Sequence, residues 1–420
     1  MDILTLIVLS LLYLTLFVAF FWIIIFLDNY DILWNDPKTK NKYFISVLIP
    51  AFNEEKSIRK TINSVLRQDY SKNLFEVIVI NDGSTDNTEK LCKEYEKKGL
   101  IKIVSKKNGG KASALNAGLT IAKGELIYVL DADSFAEKSN FKHLIGYFDN
   151  AKVAAVTSSM KVSTKNGFLQ KVQWVEYMFS ILMRKSMSLF NSLYVTPGPG
   201  SMYRKKVLLE IGGFSTTTLT EDMEIAFNIQ NHKYFIENSL NAITYTNSPK
   251  DLKTLSVQRI RWYTGFIEDS LKYKHFYFNK DYGFLGGFLL PSNLLSTFAL
   301  LFLTFYALFN SVKSGLTNIS NLSAIKFDFF PMLKLPDFAT NMFGINIFSI
   351  IGILFLIISL FIIYYSLKVS YESVNIRKNF LSYVLYLISY SFLMTYFWSS
   401  TLLYKLFLRG NLKGWKNGSE

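Results

Sequence analysis

The stretch ELIYVLDADS, residues 125–134, decides how the chain is read. Its first half is a short, β-branched and aromatic apolar run without helical period, which is the pattern of a buried strand. Its second half puts two carboxylates, Asp131 and Asp133, around the small Ala132. In extended backbone, residues i and i+2 point the same way. The pattern therefore predicts two carboxylates converging at a strand end, a site suited to a hard divalent cation such as Mg²⁺ or Mn²⁺. A lone D-x-D also suits a solvated turn, so the neighbouring sequence has to choose.

Working outward, FISVLIP (44–50), FEVIVIND (75–82) and IKIVSK (101–106) read as three more buried strands. Between them, residues 55–68, 86–97 and 111–122 carry helical spacing; Ile58, Ile62, Val65 and Leu66 mark the first. Strands alternating with helices predict a mostly parallel sheet covered on both faces, in an α/β fold. Ligands of such sheets bind beyond the C-terminal strand ends. The polar segments there are AFNEE, NDGSTD, KNGGK and DADS, and all four should gather at one rim. The third is not a phosphate loop, because Ser105 and Ala112 stand where that motif needs Gly and Ser or Thr. No G-x-G-x-x-G follows the first strand, which argues against a dinucleotide site.

Composition supplies the setting. Half of the 420 residues are hydrophobic and the formal charge is +14; the mean hydropathy is +0.21. Residues 3–27 form an apolar run longer than the roughly 20 residues that span a bilayer. Three more runs follow, over 284–309, 344–367 and 380–407. Lys38, Lys40 and Lys42 after the first run place the following segment in the cytoplasm by the positive-inside rule. The expected layout is an anchor at 1–27, a cytoplasmic catalytic domain at 28–250, interfacial helices at 251–280, a transmembrane α-helical bundle at 281–410 and a tail at 411–420. The loop 310–343 would lie outside and carries N-x-Ser sequons at Asn318 and Asn321. Four spans would leave the C-terminus outside, against the preference of Arg409, Lys413 and Lys416; a re-entrant segment at 327–335 would change that parity. The single Cys92 excludes an intrachain disulfide framework and a Cys-rich metal cluster. His143, His232 and His275 show no zinc spacing and read as surface or packing residues. The basic residues form no compact aromatic-interleaved patch, so no nucleic-acid partner is expected.

Six segments, VLIPAFNEE, VINDGSTDNT, NGGKASALNAGL, VLDADS, TEDMEIAF and QRIRW, occur in the order found in inverting family-2 glycosyltransferases. The chain resembles the membrane-embedded group that includes cellulose, chitin, hyaluronan and poly-N-acetylglucosamine synthases, over residues 44–270. The resemblance implies a GT-A fold, a UDP-sugar donor and a divalent metal, Mg²⁺ or Mn²⁺. It places Ala51, Glu54 and Asp82 at the uridine, Lys111 near the diphosphate, Asp131 facing the nucleotide and Asp133 on the metal. Asn81 departs from the Asp of many relatives at that position. The segment 196–214 is similar to the part that lines the acceptor side.

TED, residues 220–222, reads as a helix start, with Thr220 as N-cap and acidic residues where the dipole favours them. The motif order makes Asp222 the candidate catalytic base. In SVQRIRWYTG (256–265), Gln258, Arg261 and Trp262 fall at i, i+3 and i+4 and share one helix face. The guanidinium suits a diphosphate and the indole suits a sugar face. The resemblance places Gln258 and Arg261 on the donor and Trp262 on the acceptor. Arg259, with Lys250, Lys253, Lys272 and Lys274, is expected on anionic membrane lipid. These readings describe an integral membrane enzyme, either a processive synthase of a β-linked polysaccharide or a single-addition glycosyltransferase acting on a membrane lipid. A non-catalytic channel or scaffold is the remaining alternative, and no motif carboxylate is missing to support it.

Overall fold

The fold follows from which strands are apolar on both sides. In the computed structural model, which describes residues 2–324, 347–373 and 375–408, helix α1 (Ile3–Asp28) leads into β1 (Ile45–Ala51), α2 (Ile58–Leu66), β2 (Phe75–Asn81), α3 (Thr88–Glu96), β3 (Lys102–Ser105), α4 (Lys111–Ile121) and β4 (Leu126–Val129). Every residue of β1 is buried. Val47 and Ile49 pack with Ile58, Ile62 and Val65 of α2, while Leu48 packs on the other face with Ala114, Leu115 and Leu119 of α4. A strand covered on both faces must be apolar throughout, which is why these runs show no alternation.

Next come β5 (Phe135–Ala136), α5 (Asn140–Ile145), β6 (Val153–Val162), α6 (Phe168–Ser188), β7 (Ser201–Arg204), α7 (Lys205–Glu210), α8 (Glu221–Asn231), β8 (Phe235–Thr246) and α9 (Leu252–Lys272). The strands form one sheet in the order β3-β2-β1-β4-β7-β6-β8-β5. Pairings β1–β2, β1–β4, β2–β3 and β6–β8 are parallel; β4–β7, β6–β7 and β5–β8 are antiparallel. The first half matches the alternating pattern read from sequence. The antiparallel β7 then reverses the sheet and carries the chain from residues 196–200 back across the rim.

Helices α10 (Leu290–Ala324), α11 (Ile347–Val369) and α12 (Ile376–Leu403) complete the chain. Four helical segments are long and apolar enough to cross a membrane: Ile3–Asp28, Leu285–Asn321, Ile347–Val369 and Asn379–Phe407. One expectation needs correction. The loop anticipated from residue 310 is helical as far as Ala324, so both sequons lie on α10. Its backbone there is bonded within the helix and does not form a turn-rich connection. The anticipated re-entrant segment and the basic residues from 409 onward lie outside the described residues.

Polar contacts fasten the membrane helices to the sheet. Between α1 and β1, the Asp36 carboxylate accepts from Tyr147 Oη (2.8 Å), Ser239 Oγ (3.0 Å) and Asn241 Nδ2 (2.7 Å) and meets His143 Nδ1 at 2.9 Å. Between α11 and α12, Glu372 pairs with Lys161 of β6 at 3.6 Å. At the far end, Lys405 pairs with Glu268 of α9 at 2.6 Å. The core predicts its own test: Ile49→Ala removes a fully buried side chain at the centre of one layer and should destabilise the protein by about 2–5 kcal/mol, read as a lowered Tm in detergent.

Candidate active site

The four rim segments do gather, and side chains lock them to one another. Asn53 Oδ1, after β1, accepts from Thr85 N (2.8 Å), after β2. Asp86 Oδ2 accepts from Glu55 N (3.1 Å). Asp82 is wholly buried; its carboxylate accepts from Lys106 Nζ (2.7 Å), Gly109 N (3.0 Å) and Gly110 N (2.8 Å). It thereby folds the glycine turn that starts α4. Ala51 closes β1 against the same loop, its carbonyl accepting from Asp82 N at 2.9 Å.

That turn delivers Lys111 to the centre. Its Nζ lies 2.7 Å from Asp131 Oδ1 and 3.0 Å from Glu221 Oε1. One ammonium thus joins the fourth rim segment to the start of α8. Burial opposes the charge on Lys111, but Asp131, Glu221 and Asp222 outweigh it and raise its pKa. Gly198 covers the trio. A Cβ there would stand 2.4 Å from Lys111 Nζ and 3.1 Å from both Asp131 oxygens, so a side chain at 198 would displace the pair.

The D-x-D pair differs from expectation in its cause. Strand β4 ends at Val129, and residues 131–133 form a turn in which Ser134 N donates to Asp131 O at 3.0 Å. The two carboxylates still repel each other. Asp133 is pushed up by burial first and by Asp131 next. Glu54 is pushed up to about 7 by burial, with Asp133 and Asp131 adding to it; Ser57 Oγ, which donates to its carboxylate, opposes the shift. Among the described residues, no three or more His, Cys, Asp or Glu side chains form a metal-holding group. The neighbourhood nevertheless fits a hard cation. It is rich in half-buried carboxylate, and Mg²⁺-like ions use only one or two protein carboxylates when substrate phosphates fill the remaining positions.

Asp222 sits in the first turn of α8 with Glu221 and Glu224. Burial, then Glu221, pushes its pKa up to about 6, against the pull of Lys111 and Arg261. Burial also disfavours charge on Glu221, yet Lys111 and Arg261 hold it below the usual range. Two adjacent carboxyls are thus driven apart: Glu221 is committed to Lys111, and Asp222 is left as the more basic group. The backbone carbonyl of Asp222 accepts from Thr196 N (3.0 Å) and Thr196 Oγ1 (2.8 Å), which fixes the 196–200 segment over the site.

Thr220 occupies the N-cap position but makes no side-chain cap bond. Its hydroxyl turns toward Asp269 Oδ2 on α9, at 3.5 Å. A Cβ on Gly265 would fall 2.1 Å from Thr220 Oγ1, so α8 and α9 approach closely there. Glu224 extends the junction, accepting from Tyr273 Oη (2.8 Å) and pairing with Lys272 (2.5 Å).

The three motif residues of α9 meet the site as follows. Arg261 lies close enough to Glu221 and Asp222 to favour the charge on both. Gln258 Oε1 is buried without a hydrogen-bond partner. Trp262 is backed by Arg259, whose guanidinium lies 4.3 Å from the ring centroid. This corrects the assignment of Arg259 to lipid. It is 4% exposed and pairs with Glu176 of α6 at 2.8 Å. Lys272 pairs with Glu224 yet stays exposed, as do Lys250, Lys253 and Lys274. Sequence reading did not assign Glu176 or Asp269 to the site, and placed Gly198 there only as part of the segment 196–214. The first two lie at ordinary positions of amphipathic helices, and only their partners give them meaning.

A mixed sheet of this order, with carboxylates at its C-terminal rim, defines a GT-A glycosyltransferase fold, here joined to helices able to cross a membrane. Residues 46–212 match Glycosyl transferase family 2, and the chain carries a domain of that family. It is 32% identical over 231 residues to a poly-beta-1,6-N-acetyl-D-glucosamine synthase of Staphylococcus epidermidis, covering 54% of this chain and 56% of the relative. The synthase of Staphylococcus aureus strain COL is 31% identical over 237 residues, with the same coverage. The chain therefore spans about half the length of the curated relatives it matches. In fold it is similar to the mannosyltransferase PcManGT from Pyrobaculum calidifontis, solved with GDP-Man and Mn²⁺: the TM-score is 0.52 at 20% identity, covering 65% of this chain and 74% of that one.

Removing the central ammonium tests the arrangement. Lys111→Met leaves Asp131 and Glu221 without their cation and should destabilise the fold by about 3–5 kcal/mol. Lys111→Arg should recover part of the Tm in the same melt.

Proposed function

We propose that this protein is a membrane-embedded inverting glycosyltransferase. It would use a cytoplasmic UDP-sugar and a divalent metal, Mg²⁺ or Mn²⁺, to extend a β-linked polysaccharide that leaves through its own membrane helices. The observation that carries the reading is Asp222, a half-buried carboxyl in the first turn of α8, raised to about 6 and within electrostatic reach of Lys111, Arg261 and Asp131. A base with a pKa near the working pH both exists as carboxylate and accepts a proton readily. The named relatives make N-acetylglucosamine the first donor sugar to test.

The chemistry follows from the positions. Asp222 takes the proton of the acceptor hydroxyl as its oxygen bonds to the anomeric carbon. The bond from that carbon to the diphosphate breaks on the opposite face, inverting the centre, and its electron pair leaves with UDP. Lys111 and Arg261 stabilise the charge that develops there. Asp133, with Asp131 beside it, would hold the metal, which supplies further charge neutralisation at the phosphates. Glu54, Ala51 and Asp82 shape the nucleoside side of the rim. Arg259 presses Trp262 into a fixed orientation, so the indole offers a flat face to the acceptor sugar, and Gln258 Oε1 stands ready to accept from a sugar hydroxyl.

A second reading, transfer of one sugar to a membrane lipid, draws on the fact that only four described segments are able to cross a membrane. Product size separates the two. Purified enzyme with Mn²⁺ or Mg²⁺ and labelled UDP-N-acetylglucosamine should yield high-molecular-weight label. Label confined to a small organic-extractable product would select lipid transfer. Asp222→Asn should lower kcat by about 10²–10⁴-fold while UDP binding measured by calorimetry stays within a few-fold. Because the base acts as carboxylate, log(kcat/KM) should be level above about pH 6 and fall with unit slope below it; a profile with no acid limb in that range would remove Asp222 from the role.

A further inference from the structure

Helix α6 braces α9 along one side. Gln170, Gln173 and Glu176 follow one another at i, i+3 spacing on α6, so each is the neighbour of the next on the helix surface. Gln170 Nε2 donates to Ser248 O (3.3 Å) and Gln173 Nε2 to Pro249 O (2.9 Å), in the connection that leads from β8 into α9. One turn on, Glu176 Oε2 accepts from Arg259 Nη2 at 2.8 Å. The two glutamines hold the incoming backbone, and Glu176 holds a side chain of α9 itself. That side chain is the one whose guanidinium lies 4.3 Å from the Trp262 ring centroid.

The ion pair is enclosed. The Arg259 side chain is 4% exposed and that of Glu176 16%. Burial opposes the charge on Glu176, and Arg259 counters it. Tyr177 of α6 and Tyr263 of α9 also stand in electrostatic reach of Arg259. Opposite charges in such surroundings hold each other firmly, and removing one strands the other. Arg259 precedes Trp262 by three residues on α9, so guanidinium and indole are surface neighbours, and a cation over the ring attracts it and orients both. Trp262 is half-buried, so part of it stays accessible. The pair also stands near the D-x-D turn, since Tyr177, next to Glu176, is in electrostatic reach of both Arg259 and Asp133.

We propose that Glu176 is a positioning residue for the acceptor. Through Arg259 it fixes the plane of the Trp262 indole, and thereby sets how tightly a sugar ring stacks there, without touching substrate itself. The inference rests on the acceptor role given above to Trp262 and adds the residue that governs its strength.

The test is steady-state kinetics of the full chain in detergent, with Mn²⁺, labelled UDP-N-acetylglucosamine and a β-linked N-acetylglucosamine pentasaccharide as added acceptor. Glu176→Gln keeps the side-chain shape and removes the charge. It should raise the acceptor KM about 5–10-fold while the donor KM stays within about 2-fold. Arg259→Lys keeps the ion pair but loses the flat cation, and should give the same split. Glu176→Asp should recover part of the acceptor KM. In a Trp262→Ala background, adding Glu176→Gln should change the acceptor KM by less than about 2-fold, because the two residues act as one unit. Should Glu176→Gln fail to fold, Glu176→Leu combined with Arg259→Leu removes both buried charges together; its Tm should stay near wild type and its acceptor KM should be raised as before. A wild-type acceptor KM in these variants overturns the proposal. So does a parallel rise of donor and acceptor KM, or a full effect of Glu176→Gln in the Trp262→Ala background. A wild-type enzyme that transfers sugar to no oligosaccharide removes the acceptor role of Trp262 and this inference with it, whereas wild-type transfer with unchanged variants removes Glu176 alone.

Discussion

The contact of Lys111 with Asp131 and Glu221 is the constraint on which the rest of the site depends. A partly buried ammonium between two carboxylates fixes three segments that are far apart in sequence. It holds the start of α4, the turn after β4 and the first turn of α8 at one point. The same cation divides the TED carboxyls, lowering Glu221 while Asp222 remains raised to about 6. Asp82 acts one step earlier, since its carboxylate shapes the glycine turn that brings Lys111 inward. A charge in a low-dielectric site interacts strongly with its neighbours, so small displacements here would alter both geometry and basicity.

Helix α9 transmits that order to the membrane-facing part of the molecule. On one side Gly265 and Asp269 receive Thr220. On another, Arg259 joins Glu176 of α6 and stacks under Trp262. Tyr263 stacks on Trp398 of α12 with ring centroids 4.5 Å apart, and Glu268 pairs with Lys405. The helix that carries the Q-x-x-R-W residues is therefore clamped between α8 and the apolar helices. Side chains with this many packed neighbours are held in one orientation.

Much of this was legible without coordinates because burial on two faces leaves a strong sequence trace. β1, β2 and β4 are continuous apolar runs, and each ends in polar residues at the rim. The face shared by Gln258, Arg261 and Trp262 follows from helical periodicity, and the structure keeps Arg261 beside the TED carboxyls. The D-x-D pair lies just beyond β4, in a turn and not in the extended strand that was expected. Arg259 was misassigned because a basic residue beside a Trp near an apolar segment has the same local pattern whether it meets lipid or a buried glutamate 83 residues away in sequence.

The sequence by itself determined the α/β alternation, the rim on which the polar segments assemble, the apolar helices and the family that residues 46–212 match. Each depends on local composition or short-range periodicity, which the chain carries in full. Only the tertiary structure decided which carboxyls pair with Lys111, that Thr220 turns from its helix to α9, and that Arg259 is buried against Glu176. Those outcomes depend on distances between residues remote in sequence and on exclusion of water, which arise only when the layers close on one another.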